Sequence, residues 1–196
     1  FNDYVQKVVS VANSNDGEVF INGNNQIGAW RFGYSTNTID ENTWYRVIIS
    51  VEDTSFYRIY VNGELWVNSH GMPFDDRDAL ASTLLLFADE DGEDNTMVCS
   101  EAAIWDVALT GAQALELGDP ATAPIADRVG WWKFDDAGDM LKAEIGSPLV
   151  LTGTQSSVAG PAEGNLATEI GLGSYLTMAH GIAANGGGSM VNEYSL

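Results

Sequence analysis

The sequence predicts an all-β chain with antiparallel strands and one short helix, and three observations carry that prediction. Apolar and polar residues alternate with a period of two in four runs between residues 44 and 105 that are rich in β-branched and aromatic side chains. Two of those runs are joined by Asn62-Gly63, the kind of dipeptide that a two-residue hairpin turn needs, because both of its central residues take positive φ. Helix start and stop signals come together at one place, 110–117.

In chain order, "WYRVIISV" (44–51) reads as a strand, and "FYRIYVNGELWV" (56–67) as a hairpin turning at Asn62-Gly63. "TLLLF" (83–87) and "MVCSEAAIW" (97–105) read as two further strands. The helix has Thr110 as N-cap, good helix formers in "AQALEL", and Gly118 as its stop. "GDPATAPIADR" (118–128), with two prolines and small residues, marks a linker over 119–128 between two parts, 1–118 and 129–196. The second part shows short strands between glycine-rich turns and closes on "VNEYSL", which reads as a strand cut short. Some 70 residues of that composition bury too little apolar surface to offset chain entropy, so this part is expected to need a partner.

Composition bounds the function. A chain of 196 residues, 45% apolar, can bury one substantial core. With 28 acidic and 8 basic residues its formal charge is −20, which repels phosphate backbones and anionic lipid surfaces; neither nucleic acid nor membrane insertion is expected. Divalent cations or a salty medium ease such a charge, and both suggest surroundings outside the cell. The opening residues carry no basic-then-apolar leader, so the chain reads as a mature piece. Cys99 is the one cysteine; it makes no internal disulfide and reads as a small core residue.

The order of these pieces is similar to a known family. "NTWYRVIISVEDTSFYRIYVNGELW", "LLLFADEDGEDN" and "AAIWDVALTGAQALEL" resemble the C-terminal half of laminin-G-like and pentraxin-like domains of the concanavalin A-like lectin/glucanase superfamily. "VGWWKFDDAGD", "GSPLVLTG", "GSYLTMAHGI" and "VNEYSL" resemble the N-terminal half of such a domain. The resemblance implies an antiparallel jelly-roll β-sandwich with its halves in permuted order. One permuted domain, a piece of a tandem array, or a subunit whose halves complete its neighbours would each account for the reversal; in the last two, copies of the chain are the partners.

The abrupt passage from apolar to acidic in "LLLFADEDGEDN" (84–95) poses the question of a metal. Successive carboxylates repel unless solvent or a cation separates them, and Gly92 allows a sharp turn. The spacing is not that of an EF-hand, which wants a glycine where Asp94 stands and a glutamate where Ser100 stands. The family resemblance implies calcium, held by Asp89 and Asp91 through their side chains and by Glu90 through its carbonyl, with Asp94 able to complete the shell. It further implies an Asn/Asp pair from an earlier loop, here Asn15 and Asp16 in "NSNDGEVFI", although Gly17 departs from the pattern. The alternative is a pair of ordinary solvated turns.

Other features read as structural. Trp44, Trp105 and one of the neighbours Trp131 and Trp132 are expected to pack in the core or on a sheet, the two neighbours facing opposite ways. His70 and His180 are expected in turns, and the glycine run of "GIAANGGGSM" (181–190) reads as a turn because no helix with a lysine follows to make a phosphate cradle. The paired carboxylates of a sandwich glycoside hydrolase are not found at their spacing, so no enzyme is expected. The sum is a calcium-stabilised structural or adhesive module, extracellular or on the cell surface, a repeat or subunit of a filament. A carbohydrate-binding module, with glycans as partners, is the alternative.

Overall fold

A computed structural model describes residues 3–8, 19–29, 32–52, 55–70, 73–75, 78–87, 95–118 and 128–196. The first part of the chain forms β1 (Asp3–Val8), β2 (Val19–Ile21), β3 (Ile27–Ala29), β4 (Gly33–Tyr34), β5 (Val47–Glu52), β6 (Phe56–Val61), β7 (Glu64–Ser69), β8 (Thr83–Leu86), β9 (Met97–Cys99), β10 (Ala102–Ile104) and α1 (Gly111–Glu116). The second forms β11 (Gly130–Trp132), β12 (Val150–Thr152), β13 (Gln155–Ala159), β14 (Leu166–Ile170), β15 (Tyr175–Ala179) and β16 (Glu193–Ser195). All strand pairings between these elements are antiparallel, as the sequence predicts.

The sheets run β12-β15-β8-β1-β2-β3-β4, β16-β5-β6-β7, β13-β14-β9 and β10-β11. Each of them draws strands from both sides of residues 119–127. β15 lies between β12 and β8, pairing Met178 with Leu84; β14 pairs with β9, β11 with β10, and β16 with β5. Apart from Arg128, the predicted linker falls outside the described residues.

The two larger sheets face each other across one core. Val19, Ile27, Leu84, Leu86, Leu176 and Met178 come from the seven-stranded sheet, and Ile49, Val51, Tyr57, Ile59, Val67 and Tyr194 from the four-stranded one. Such face-to-face burial of inward residues defines a β-sandwich. β5 is buried on both faces, which explains why "VIISV" reads as a continuous apolar run rather than an alternation. Its odd residues face the core, while Ile48, with Tyr60, meets a second cluster of Trp105, Leu109, Ala114 and Leu117 under α1.

The local predictions can be checked in detail. Asn62 and Gly63 have φ of 50° and 84°, the type I′ hairpin that the dipeptide predicts. Thr110 caps α1 in a full capping box with Gln113. Gly118 serves differently from the prediction: the helix ends with Leu117 in a right-handed conformation, and the glycine is needed because a Cβ there would stand 2.7 Å from the Asn62 carbonyl oxygen. The predicted strand 44–51 begins only at Val47, because Arg46 is bound through its N–H to the Asn62 side chain (2.9 Å) at the hairpin turn. The predicted strand 97–105 is broken at Ser100-Glu101, since β9 and β10 pair with different partners.

Trp105 and Trp132 are buried and Trp131 is half-buried on the opposite side from its neighbour, as expected. Trp66 is the extra residue of a bulge in the edge strand β7: Tyr60 pairs with Leu65 and Ile59 with Val67. The bulge turns Trp66 inward beside Val67, edge-on to Tyr45 at 6.4 Å, which spoils β7 as a template for further pairing.

Candidate functional site

The six residues singled out for calcium, Asp89, Glu90, Asp91, Asp94, Asn15 and Asp16, lie outside the described residues. What is described are the ends of the acidic loop. β8 stops at Leu86, Phe87 turns the chain away with φ of 70°, and Asn95 receives the chain again by accepting the N–H of Thr96 (2.8 Å) ahead of β9. Among the described residues, no three His, Cys, Asp or Glu side chains converge as a metal-binding group.

A half-open groove of about 900 Å³ lies between the approach to β5 and the β9–β10 run, closed at one end by the turn after β13. That volume is within the range of small-ligand sites. Trp44 and Tyr45 line it together with the carboxylates of Asp40, Glu41 and Glu169. Two of its lining residues, Arg46 and Glu101, belong to a polar relay. Arg46 Nη1 stands 2.9 Å from Glu101 Oε2, and Trp131 Nε1 donates to Glu101 Oε1 at 2.6 Å. The Trp131 ring lies under two cations, with Arg128 3.6 Å and Lys133 4.6 Å from its centroid. Cys99 donates its thiol to the Glu101 carbonyl, and burial pushes that thiol up to about 12, so it is an inert packing group rather than a nucleophile.

A densely bonded carboxylate stands elsewhere, at Asp75. Asp75 accepts from the Ser189 N–H (2.7 and 2.9 Å to its two oxygens), the Ser189 hydroxyl (2.7 Å), the Met190 N–H (2.7 Å) and the Asn192 amide (3.0 Å). Its own N–H returns a bond to Asn192 Oδ1 at 2.8 Å. Gly186, Gly187 and Gly188 approach with φ of 65°, 98° and 71°, and a Cβ on Gly188 would stand 2.5 Å from an Asp75 oxygen. The donors, led by the Asn192 amide and the Ser189 hydroxyl, hold the Asp75 carboxyl well below the usual carboxylate range. The glycine run thus carries the chain, in an ordered turn, to the point where the Ser189 and Met190 N–H groups meet an anion, and the anion is the chain's own aspartate.

Neither arrangement was singled out from sequence. "GGGS" marks a tight, left-handed stretch, but nothing in "PFDDRD" distinguishes Asp75 from Asp76, and Glu101 looks like any polar strand residue. His70 is exposed after β7, and His180 binds the Ala81 carbonyl just after β15; among the described contacts neither stands with a nucleophile.

Residues 5–114 match the family model described as the concanavalin A-like lectin/glucanases superfamily, of laminin G type, over more than half of the chain. No curated protein and no solved structure matches.

Proposed function

The chain belongs to the concanavalin A-like lectin/glucanase superfamily as a laminin G-like domain, and from that premise we propose that it is an extracellular, calcium-stabilised structural or adhesive module. Laminin G-like domains are generally non-enzymatic binding modules, typically extracellular, and fit lectin-like or adhesive work. Among the described residues, no helix is long and apolar enough to cross a membrane. The chain acts as a repeat or subunit of a surface fibre, in which the part before residue 119 and the part after 128 complete each other. One observation carries this reading: every sheet takes strands from both sides of residues 119–127. Where that segment passes into a neighbouring copy, the same pairings join copy to copy, and a contact that does not close on itself makes a filament.

In this reading calcium is held at the rim by Asp89, Asp91, Asp94 and the Glu90 carbonyl, with Asn15 and Asp16, and it offsets part of the −20 charge. Two measurements test it. Calcium raises the melting temperature and Asp91→Ala abolishes the rise; a melt indifferent to EDTA overturns the metal. Ordered polymers appear by electron microscopy as concentration rises; a compact monomer at every concentration overturns the fibre.

The groove favours a second reading, a glycan-binding module. Trp44 and Tyr45 offer aromatic faces beside carboxylates that accept sugar hydroxyls. Glycan-array binding lost in both Trp44→Ala and Tyr45→Ala supports this; binding indifferent to both removes the groove from consideration.

A further inference from the structure

The last twelve residues occupy a slot. β16 lies between two backbones: it pairs with β5 on one side, and on the other Ser195 exchanges both backbone bonds with Trp105 (2.9 and 3.1 Å). Leu196 does the same with Ile49 at 2.9 Å, and Val191 with Leu80 at 2.9 and 3.2 Å. The side chains are read as well. Tyr194 is fully buried and donates its hydroxyl to the Asp78 carbonyl (2.8 Å), Ser195 accepts the Leu109 N–H (2.8 Å), and Ser189 and Asn192 clasp Asp75.

The inserted segment is also organised on its own. Asn185 bonds back to Glu193 through both its amide nitrogen (2.7 Å) and its amide oxygen (3.1 Å), and its backbone bonds Met190 and Asn192. Residues 185–193 therefore form a closed loop with Ser189 and Asn192 on its rim and Tyr194 just beyond. The slot is made from Asp75, Asp78, Leu80, β5, Trp105 and Leu109, all from the first part of the chain.

We propose that this slot is a docking site for the segment 185–196 that accepts it from a second copy of the chain as well as from its own, with Asp75 as the residue that recognises it. The inference rests on the reading of the two parts as mutually completing and names the contact that does the joining. Strand insertion supplies affinity through backbone bonds that any strand could make, and specificity through pockets for alternate side chains. Here the buried Tyr194 is the anchor. Asp75 supplies the selection, because its carboxylate is matched by the Ser189 hydroxyl, the N–H groups of Ser189 and Met190 and, three residues after the serine, the Asn192 amide, on a turn that three glycines make possible. The bonds described above between the slot and the second part of the chain all go to residues of 185–196, so a second copy's segment carries the groups to reproduce them.

The test uses the full chain carrying Tyr194→Ala, which weakens the chain's own segment, and a fluorescein-labelled peptide of residues 183–196. Binding is read by anisotropy and by melting temperature. The peptide is expected to bind and to raise the melting temperature, and adding Asp75→Asn to the same chain is expected to weaken binding by at least about tenfold. Where Tyr194→Ala does not fold, Asn192→Ala, which removes only one amide from the clasp, takes its place. The proposal falls if the peptide does not bind a folded variant, or binds with equal affinity whether residue 75 is aspartate or asparagine. Docking without ordered polymers of the native chain leaves the slot standing and removes the fibre; polymers without docking show that copies are joined elsewhere.

Discussion

Asp75 and Glu101 each tie the residues after 128 to those before 119, and they do so with different partners. Glu101 is held by a guanidinium, Arg46, and by the indole N–H of Trp131, at side-chain exposures of 18% for the glutamate and 13% for the arginine. Asp75 is held by neutral groups alone among the described contacts: two backbone N–H groups, a hydroxyl and an amide. A chain with 28 acidic and 8 basic residues has few cations to distribute. The backbone amides of Ser189 and Met190 stand in for them at Asp75, and the requirement is conformational: three successive glycines in the left-handed region lead the chain to them.

The largest effect that separates the two joints is expected at Glu101. Glu101→Ala strands the Trp131 N–H and removes the ion pair in a mostly buried place, at a cost of about 2–4 kcal/mol in urea denaturation. Gly188→Ala comes next, at about 1–3 kcal/mol by the same measurement, since the new Cβ meets the Asp75 carboxylate and the backbone sits at φ of 71°. An unchanged midpoint for Gly188→Ala means that the glycine turn does not pack against Asp75. The smallest effect is the most diagnostic. The folded Asp75 carboxyl lies below its ordinary value of 3.8, so its contribution is whole above about pH 4 and is withdrawn as the pH falls below that. Wild type and Asp75→Asn are therefore expected to differ in melting temperature at pH 7 and to converge in acid; a difference constant with pH denies the carboxylate its role. Beside these, Cys99 is expected to react with thiol reagents at pH 8 more slowly folded than in denaturant, since desolvation raises its thiol to about 12; equal rates would show that the thiol is not shielded.

The strands, the hairpin and the helix cap were legible because each depends on near neighbours. Asn62-Gly63 turns the chain whatever surrounds it, and Thr110 finds its partner three residues on. The laminin G-like character was legible for the same reason, as an order of local pieces. The joints were not. Asp75 meets donors 114 to 117 residues away, and Glu101 meets Trp131 at 30, so what selects these carboxylates is topology rather than local pattern. Gly118 was recognised as important for the wrong reason: a glycine after a helix suggests a left-handed stop, and here it answers the close approach of a turn more than fifty residues earlier. The residues singled out for calcium lie outside the described residues.

The position of β15 has a consequence for synthesis. Until Tyr175–Ala179 leaves the ribosome, β8 has β1 on one side and an unpaired, apolar Leu84–Leu86 backbone on the other. Some ninety residues of further translation separate that exposed edge from its partner, a long-range closure that slows folding and favours association of nascent chains. Production that stops near residue 118 is therefore expected to yield inclusion bodies, whereas chains extended past β15 carry the strand that covers this edge.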